Sequence, residues 1–222
     1  MGRIVELESA DGFRPSAYRA DPAGAPRGGL VVIQEIFGVN RHIRAVCDGY
    51  AADGYLVVAP ALFDRYEKGV DWGYTPEDIA RGREMRGRAA TPPALADIAA
   101  ARALAASAGK VGAVGYCWGG LLAWQSAART DGLACAVAYY GGGMPDAIGD
   151  APRCPVMAHF GEQDAMIPLP GVRALAAAHP AVEVFTYDAG HGFNCDERGS
   201  FDAASAKLAR ERTLAFLRRY VG

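Results

Sequence analysis

Short, almost uninterrupted apolar runs alternate with helix-forming segments along most of the chain. The predicted strands cover residues 28–36 and 55–60 and begin again near residues 110, 133, 155 and 182. The predicted helices cover residues 40–53, 94–107, 118–129, 168–178 and 201–220. Apolar strands separated by helices form sheets that are mostly parallel and covered on both sides. The sequence therefore predicts an α/β fold, with a mostly parallel twisted sheet and helices on both faces.

The length and organisation of the chain favour one domain. Its 222 residues are enough to bury a sizeable core, and neither a repeat nor a linker-like change of composition interrupts them. We therefore expect a single domain over residues 1–222, with an antiparallel pair of strands within residues 3–20 at one sheet edge. The polar, arginine-rich segment 61–93 is a long connection, and we expect it to overhang a functional site.

Charge and composition exclude several classes of protein. The net charge is −2, from 23 Lys and Arg against 25 Asp and Glu, so the basic excess typical of a nucleic-acid binder is missing. No apolar run reaches the roughly 20 residues of a membrane span, and the charged N-terminus does not fit a signal peptide. The five cysteines are scattered without a CxxC pair, which argues against disulfides and against a metal site. We expect a cytoplasmic monomer without nucleic-acid or membrane partners.

The third core strand runs into the residues GYCWGG at 115–120, and a predicted helix follows. This is the nucleophile-elbow pattern, glycine-x-nucleophile-x-glycine, with cysteine in place of serine. The turn is so tight that side chains two positions before and after the nucleophile would collide. It exposes the Cys117 thiol at a helix N-terminus, where the helix dipole favours the thiolate. The backbone N–H of Trp118 is then the first oxyanion-hole donor. The alternative is a glycine-rich turn that carries a buried structural cysteine.

Two further strand ends carry an acid and a histidine. Asp164 follows the strand that begins near residue 155, and His191 follows the last strand. The order nucleophile, acid, histidine is that of the α/β-hydrolase triad, in which the histidine takes the thiol proton and the acid stabilises the imidazolium. Taken singly, Asp164 fits a helix cap or turn and His191 fits a turn. Together they favour a catalytic triad with Cys117 on an α/β-hydrolase fold.

Glu35 ends the first core strand in the segment QEIFG at 34–38. A carboxylate that ends an apolar strand is costly without a partner, and we expect it to accept a hydrogen bond from the Cys117 thiol. The backbone N–H of Ile36 is the predicted second oxyanion-hole donor, because the second donor of this fold arises at this strand end. The alternative for Glu35 is a structural salt bridge to an arginine of segment 61–93.

These motifs resemble the dienelactone hydrolases, which are cysteine-dependent members of the α/β-hydrolase fold. The resemblance covers nearly the whole chain and is carried by QEIFGVN at 34–40, GYCWGG at 115–120, GHGF at 190–193 and ERTLAFL at 211–217. It implies Cys117 as the nucleophile and Asp164 and His191 as its partners. It also implies that Glu35 holds the resting thiol until substrate displaces the carboxylate, and that the reaction is hydrolysis of a cyclic enol ester through an acyl-enzyme.

One position departs from the family. Dienelactone hydrolases clamp the substrate carboxylate with two arginines, one of them four residues after the catalytic histidine, where this chain has the neutral Cys195. Cys195 is expected to line the pocket or to fill space. The other arginine corresponds to Arg81 or Arg83 of the long connection, and Arg81 is our candidate for substrate binding. The alternative for these arginines is a solvated helix face. Phe37 is a predicted pocket wall, and the alternative is an aromatic residue of the core.

The sequence therefore predicts a hydrolase that cleaves a small, anionic ester or lactone through a cysteine acyl-enzyme. It contains no Walker loop, GxGxxG or HExxH motif, and we expect neither a cofactor nor a metal. The alternatives are a general carboxylesterase or thioesterase on the same site and a non-catalytic ligand-binding relative. A complete triad on a strained elbow argues against the binder, which has no need of one.

Overall fold

The computed structural model describes residues 2–222, which divide into two compact units. One unit runs to Val111 and includes Val221, and the other comprises Gly112–Tyr220 with Gly222. Together the described residues form eight strands and six α-helices. That residues 1–222 act as one domain stays a prediction.

The first unit contains four strands and three helices. These are β1 (Arg3–Glu6), β2 (Ser16–Ala20), β3 (Gly29–Ile33), α1 (Arg41–Ala52), β4 (Leu56–Pro60), α2 (Pro76–Arg88) and α3 (Thr91–Ala105). The strands lie in the order β1-β2-β4-β3. β1 and β2 form the expected antiparallel pair at the edge, β2 is antiparallel to β4, and β3 is parallel to β4.

The core of the first unit lies around β3 and β4, where every residue is buried. Because successive side chains of a strand point to opposite faces, both faces of these strands are covered. The helices α1 and α3 both pack against β4. Asn40 begins α1 as its N-cap, accepting the N–H of Ile43 at 3.1 Å. β3 ends at Ile33, so residues 34–36 belong to the following loop rather than to the predicted strand.

The long connection after β4 has more regular structure than its sequence indicated. It contains a short 3-10 turn at Leu62–Arg65 and the whole of α2, and α3 begins at Thr91 rather than at 94. A capping box begins α2, because Thr75 and Asp78 accept each other's backbone N–H groups at 3.2 and 3.3 Å. Two prolines obscured the start of α3, although a proline in a first turn removes no helical hydrogen bond. That this segment overhangs a site stays a prediction.

The second unit continues the alternation of strands and helices. Its elements are β5 (Val111–Tyr116), α4 (Trp118–Arg129), β6 (Leu133–Tyr139), β7 (Val156–Gly161), α5 (Leu169–Ala178), β8 (Glu183–Tyr187) and α6 (Ala203–Tyr220). The strands lie in the order β5-β6-β7-β8, and β7 is parallel to both of its neighbours.

Buried strands again form the core of this unit. Every residue of β5 and β7 is buried, α4 packs against β6, and α6 packs against β6 and β7. The buried face of α6 consists of Ala209, Thr213, Phe216 and Leu217. These observations confirm the predicted fold class, a mostly parallel sheet covered by helices on both faces. Among residues 2–222, no helix combines the length and the apolar character that crossing a membrane requires.

Candidate active site

The turn between β5 and α4 holds Cys117 in a conformation that few non-glycine residues adopt. Its φ is 55° and its ψ is −117°, and its N–H donates to the Tyr139 carbonyl at 3.0 Å. A Cβ on Gly115 would lie 1.8 Å from the carbonyl oxygen of Gly119, far inside van der Waals contact. The glycine at 115 is therefore a steric requirement of the turn. Backbone strain of this kind is found where a site requires one side-chain position.

Three predicted side chains form a continuous hydrogen-bonded row in the second unit. His191 Nε2 lies 3.2 Å from Cys117 Sγ, and His191 Nδ1 lies 2.7 Å from Asp164 Oδ2. The other carboxylate oxygen, Asp164 Oδ1, accepts the N–H of Met166 at 2.9 Å. Asp164 is 4% exposed and Cys117 9%, so water competes little for these bonds. The arrangement matches a nucleophile, its base and the acid that orients the base.

Two further side chains hold His191, and the sequence analysis singled out neither. Ser200 Oγ donates to the His191 carbonyl at 2.6 Å. The Tyr140 ring packs edge-on against the imidazole, with 5.2 Å between centroids. Tyr140 follows β6 directly and has a φ of 37°, a strained value for a residue with a side chain. Hydrophobic periodicity in the sequence does not indicate that Ser200 and Tyr140 contact His191, and only the folded structure shows it.

The surroundings of His191 favour its protonated form. Burial alone lowers the pKa of a histidine, but the hydrogen bonds to Asp164 and Cys117 outweigh burial and raise the pKa of His191 to about 10. A protonated imidazole beside the sulfur stabilises a thiolate. The hydrogen bonds of His191 therefore favour an imidazolium beside the sulfur.

The helix that follows Cys117 carries the predicted first oxyanion donor. Trp118 is the first residue of α4, and the N–H groups of a first turn point out beyond the helix N-terminus. The helix dipole adds partial positive charge there. Gly120 lets the start of α4 lie close to the end of β6, because a Cβ on Gly120 would be only 2.7 Å from the Tyr139 carbonyl oxygen. The role of the Trp118 N–H stays a prediction.

The predicted residues of the loop after β3 lie in the first unit. Glu35 is fully buried and accepts a hydrogen bond from Tyr74 Oη at 3.0 Å. The Ile36 carbonyl lies against Gly82 of α2, where a Cβ would be 2.5 Å away. The buried Phe37 ring packs edge-on against the Tyr74 ring, with 4.6 Å between centroids. Tyr74 thus contacts two predicted site residues, and the sequence analysis missed this role because segment 61–93 shows little pattern.

The two candidate arginines of the long connection differ in how they are held. The Arg81 guanidinium stacks over the Trp72 ring at 4.4 Å and lies 3.7 Å from a Glu67 carboxylate oxygen. Arg83 is exposed. A stacked guanidinium has a defined position, which favours Arg81 over Arg83 as a substrate-binding residue. Its contact with substrate stays a prediction.

The segment after His191 contains a cation that the sequence analysis overlooked. Cys195 is fully buried, which favours the space-filling alternative for this residue. Three residues on, the guanidinium of Arg198 packs against Gly192, where a Cβ would lie 2.7 Å from Nη1 and 2.8 Å from Cζ. The chain turns back between them, since the Arg198 N–H donates to the Cys195 carbonyl at 3.1 Å. A guanidinium therefore lies beside the residue that follows His191.

The amino-acid sequence is similar to those of a known protein family and of its members. Residues 16–221 match the dienelactone hydrolase family. A carboxymethylenebutenolidase of Pseudomonas putida is 35% identical over 96% of this chain and 94% of its own length. A "putative carboxymethylenebutenolidase" of Escherichia coli K12 is 34% identical over 96% of this chain and 85% of its own length.

A solved structure shows the same fold over the same extent. The crystal structure of a "putative dienelactone hydrolase" from Klebsiella pneumoniae matches with a TM-score of 0.85 at 32% identity. The match covers 99% of this chain and 100% of that one. It confirms the predicted α/β-hydrolase fold.

Proposed function

The chain belongs to the dienelactone hydrolase family, and we propose that it hydrolyses a small, anionic ester or lactone through an acyl-enzyme on Cys117. It is a carboxylic-ester hydrolase of the dienelactone hydrolase type. The observation that carries the proposed mechanism is the row from Cys117 Sγ through His191 to Asp164, with steps of 3.2 and 2.7 Å. A binding protein would need neither this row nor the strained elbow.

Acylation begins once the thiol proton of Cys117 has moved to His191 Nε2. The sulfur attacks the ester carbonyl carbon, and the carbonyl electron pair moves to oxygen as the C–S bond forms. The N–H of Trp118, with that of Ile36 as the predicted second donor, stabilises the oxyanion. When this intermediate collapses, the ester C–O bond breaks and the leaving oxygen takes the proton from His191. Asp164 stabilises the imidazolium until then.

Deacylation returns the enzyme to its starting state with one water molecule. His191, now neutral, takes a proton from water while the water oxygen attacks the thioester carbonyl carbon. The C–S bond then breaks, and the thiolate and imidazolium are restored. An ester gives an acid and an alcohol, and a lactone gives one ring-opened acid. The chain supplies the nucleophile, the base and the oxyanion donors, so the proposed reaction needs no cofactor.

Glu35 is proposed to govern the proton of the Cys117 thiol, the role that family resemblance implies. Its complete burial and its hydrogen bond to Tyr74 Oη support a positioned carboxylate rather than a solvated one. The alternative for Glu35, a structural salt bridge to an arginine of segment 61–93, stays an alternative prediction.

Two arginines support an anionic substrate. Arg198 packs against the backbone next to His191, and Arg81 is held over the Trp72 ring. A guanidinium binds a carboxylate through paired, charge-assisted hydrogen bonds. We therefore propose that Arg198 replaces the cation that the family carries at the position of Cys195. The second candidate function, a general carboxylesterase or thioesterase, is favoured by the neutral, buried Cys195 itself.

A substrate panel tests these functions. Wild type and Cys117→Ala are assayed with a dienelactone, a neutral aryl ester and a thioester. We expect wild type to show a burst of product with the aryl ester and its highest kcat/KM with the dienelactone, and Cys117→Ala to show no turnover. Activity that survives in Cys117→Ala would remove Cys117 as the nucleophile. Equal kcat/KM for charged and neutral esters would favour the general esterase.

The cellular location is also a proposal. All five cysteines are free thiols, which suits a reducing compartment, and we propose the cytoplasm. Fractionation of cells that produce the protein tests this, and recovery with an oxidising compartment would contradict it.

A further inference from the structure

Tyr74 links the long connection of the first unit to the buried Glu35. Its hydroxyl donates to Glu35 Oε2 at 3.0 Å, and Glu35 is fully buried. A buried carboxylate is costly unless donors satisfy its oxygens. Tyr74 supplies such a donor from a part of the chain 39 positions away.

Asn40 determines the direction of this hydrogen bond. Its Oδ1 accepts the N–H of Ile43 at 3.1 Å, and its Nδ2 donates to the Trp72 carbonyl at 2.9 Å. A reversed amide would set donor against donor and acceptor against acceptor, so the orientation is fixed. Nδ2 also donates to Tyr74 Oη at 3.2 Å. The single hydroxyl proton of Tyr74 is therefore directed at Glu35 Oε2.

The backbone around Tyr74 is held as firmly as its hydroxyl. The N–H of Trp72 donates to the Phe37 carbonyl at 3.0 Å, and an isolated β-bridge joins Gly38 to Asp71. The Phe37 ring packs on the Tyr74 ring at 4.6 Å. The hydroxyl therefore reaches the carboxylate from a fixed position, without the entropy cost of ordering a flexible arm.

We propose that Tyr74 is a positioning residue for hydrolysis, which holds the Glu35 carboxylate in the orientation that its role requires. This inference rests on the proposed function, in which Glu35 governs the proton of the Cys117 thiol. Tyr74 acts through Glu35 and needs no contact with substrate. His42 also faces the Tyr74 ring, edge-on with 6.5 Å between centroids, and is a titratable neighbour.

Tyr74→Phe tests the proposal by removing the hydroxyl and keeping the ring. Tyr66→Phe is the matched control, because the same atom is lost from the same connection, where the Tyr66 hydroxyl accepts the N–H of Ala90 at 3.1 Å. The pH profile of kcat/KM for a dienelactone is measured for both variants, for wild type and for Glu35→Gln. His42→Gln is measured as well, so that any contribution of His42 to the pH profile can be identified.

We expect Tyr74→Phe to move the acid side of the profile to higher pH by about one unit, a tenfold change in the proton equilibrium, with little change in KM. Tyr66→Phe should leave the profile where it is. Glu35→Gln should abolish the fall of kcat/KM at low pH, the part of the profile that Tyr74→Phe shifts. This pattern would separate a positioning role from a purely structural one, which lowers stability without moving a pH profile.

The other outcomes are distinguishable. If Glu35→Gln changes the profile and Tyr74→Phe does not, Tyr74 has no positioning role and the proposed role of Glu35 stands. If Glu35→Gln leaves the pH profile unchanged, the proposed role of Glu35 is wrong, and the proposed role of Tyr74, which depends on it, is wrong as well. A double-mutant cycle of Tyr74→Phe and Glu35→Gln, measured by urea unfolding, tests the hydrogen bond apart from activity. We expect a coupling of about tenfold in the unfolding equilibrium, and additive effects would overturn the hydrogen bond itself.

Discussion

Replacing Gly115 by alanine tests the elbow that carries Cys117. The added Cβ would lie 1.8 Å from the Gly119 carbonyl oxygen and 2.9 Å from the Gly120 nitrogen. Close carbon–oxygen contacts in proteins begin at about 3.3 Å, so 1.8 Å leaves an overlap of about 1.5 Å to be relieved. The contacting atoms are backbone and cannot rotate away. The turn between β5 and α4 must open, and Cys117 is the residue at its apex.

The size of that movement sets the expected effect. A displacement of about 1 Å in a catalytic group costs roughly 100-fold in rate, and overpacking a tight site costs about 1–3 kcal/mol of stability. We therefore expect Gly115→Ala to lose at least about 100-fold in kcat/KM and up to about 3 kcal/mol in the free energy of unfolding. Gly149→Ala is the matched control, because a Cβ there meets nothing within 4 Å.

The assay is hydrolysis of a neutral aryl ester, with urea unfolding of the same preparations. Activity is read under conditions where both variants are fully folded, so that lost turnover is not lost protein. Gly149→Ala should keep wild-type activity and stay within about 0.5 kcal/mol of wild-type stability. A folded Gly115→Ala enzyme with wild-type kcat/KM would refute the reasoning, since the collision would then have been relieved without moving the thiol.

Three further results are expected. Iodoacetamide should alkylate Cys117 before Cys135 and Cys154, because burial raises the pKa of those two thiols to about 12 and about 11; peptide mass mapping over time checks the order. Burial lowers the pKa of His159 from 6.5 to about 3, so below pH 6.5 the unfolded chain binds a proton that the folded chain does not. Wild type should therefore lose about 2 kcal/mol more unfolding free energy than His159→Gln between about pH 7 and pH 5, as measured in urea, and parallel losses would contradict this. Arg198→Gln should raise KM for a carboxylate-bearing lactone about tenfold or more and leave a neutral aryl ester nearly unaffected, whereas an equal effect on both would argue against a clamp.

The sequence predicted the features that depend on neighbouring residues. Apolar runs located the core strands to within a few residues, and α4 has the predicted bounds, Trp118–Arg129. The elbow was predictable for the same reason. The collision that excludes a side chain at Gly115 arises within five residues of chain, so the glycine pattern alone indicated the turn. The strand ends then supplied the acid and the histidine in the order that the fold requires.

Contacts between distant segments were not predictable in this way. Tyr74 reaches Glu35 across 39 positions, and no spacing rule connects a loop tyrosine to a strand-end carboxylate. Arg198 returns to Gly192 through a turn, while family resemblance directed attention to Cys195 alone. Tyr140 packs on His191 from a strained backbone that periodicity does not indicate. Each of these residues is placed by tertiary packing, which a single sequence does not encode locally.

The pKa of His191 determines how a pH profile of this enzyme should be interpreted. Because hydrogen bonds raise that pKa to about 10, the imidazolium loses its proton on the alkaline side, and a fall in activity there reports a broken ion pair. A fall on the acid side must come from a group that takes up a proton at lower pH, either the Cys117 sulfur or a carboxylate. Glu35→Gln separates Glu35 from the other groups, since it removes that carboxylate and leaves the sulfur, Asp164 and His191 in place. An acid limb that survives the substitution belongs to the sulfur or to Asp164, whereas one that disappears identifies Glu35, held by Tyr74, as the group that controls the proton.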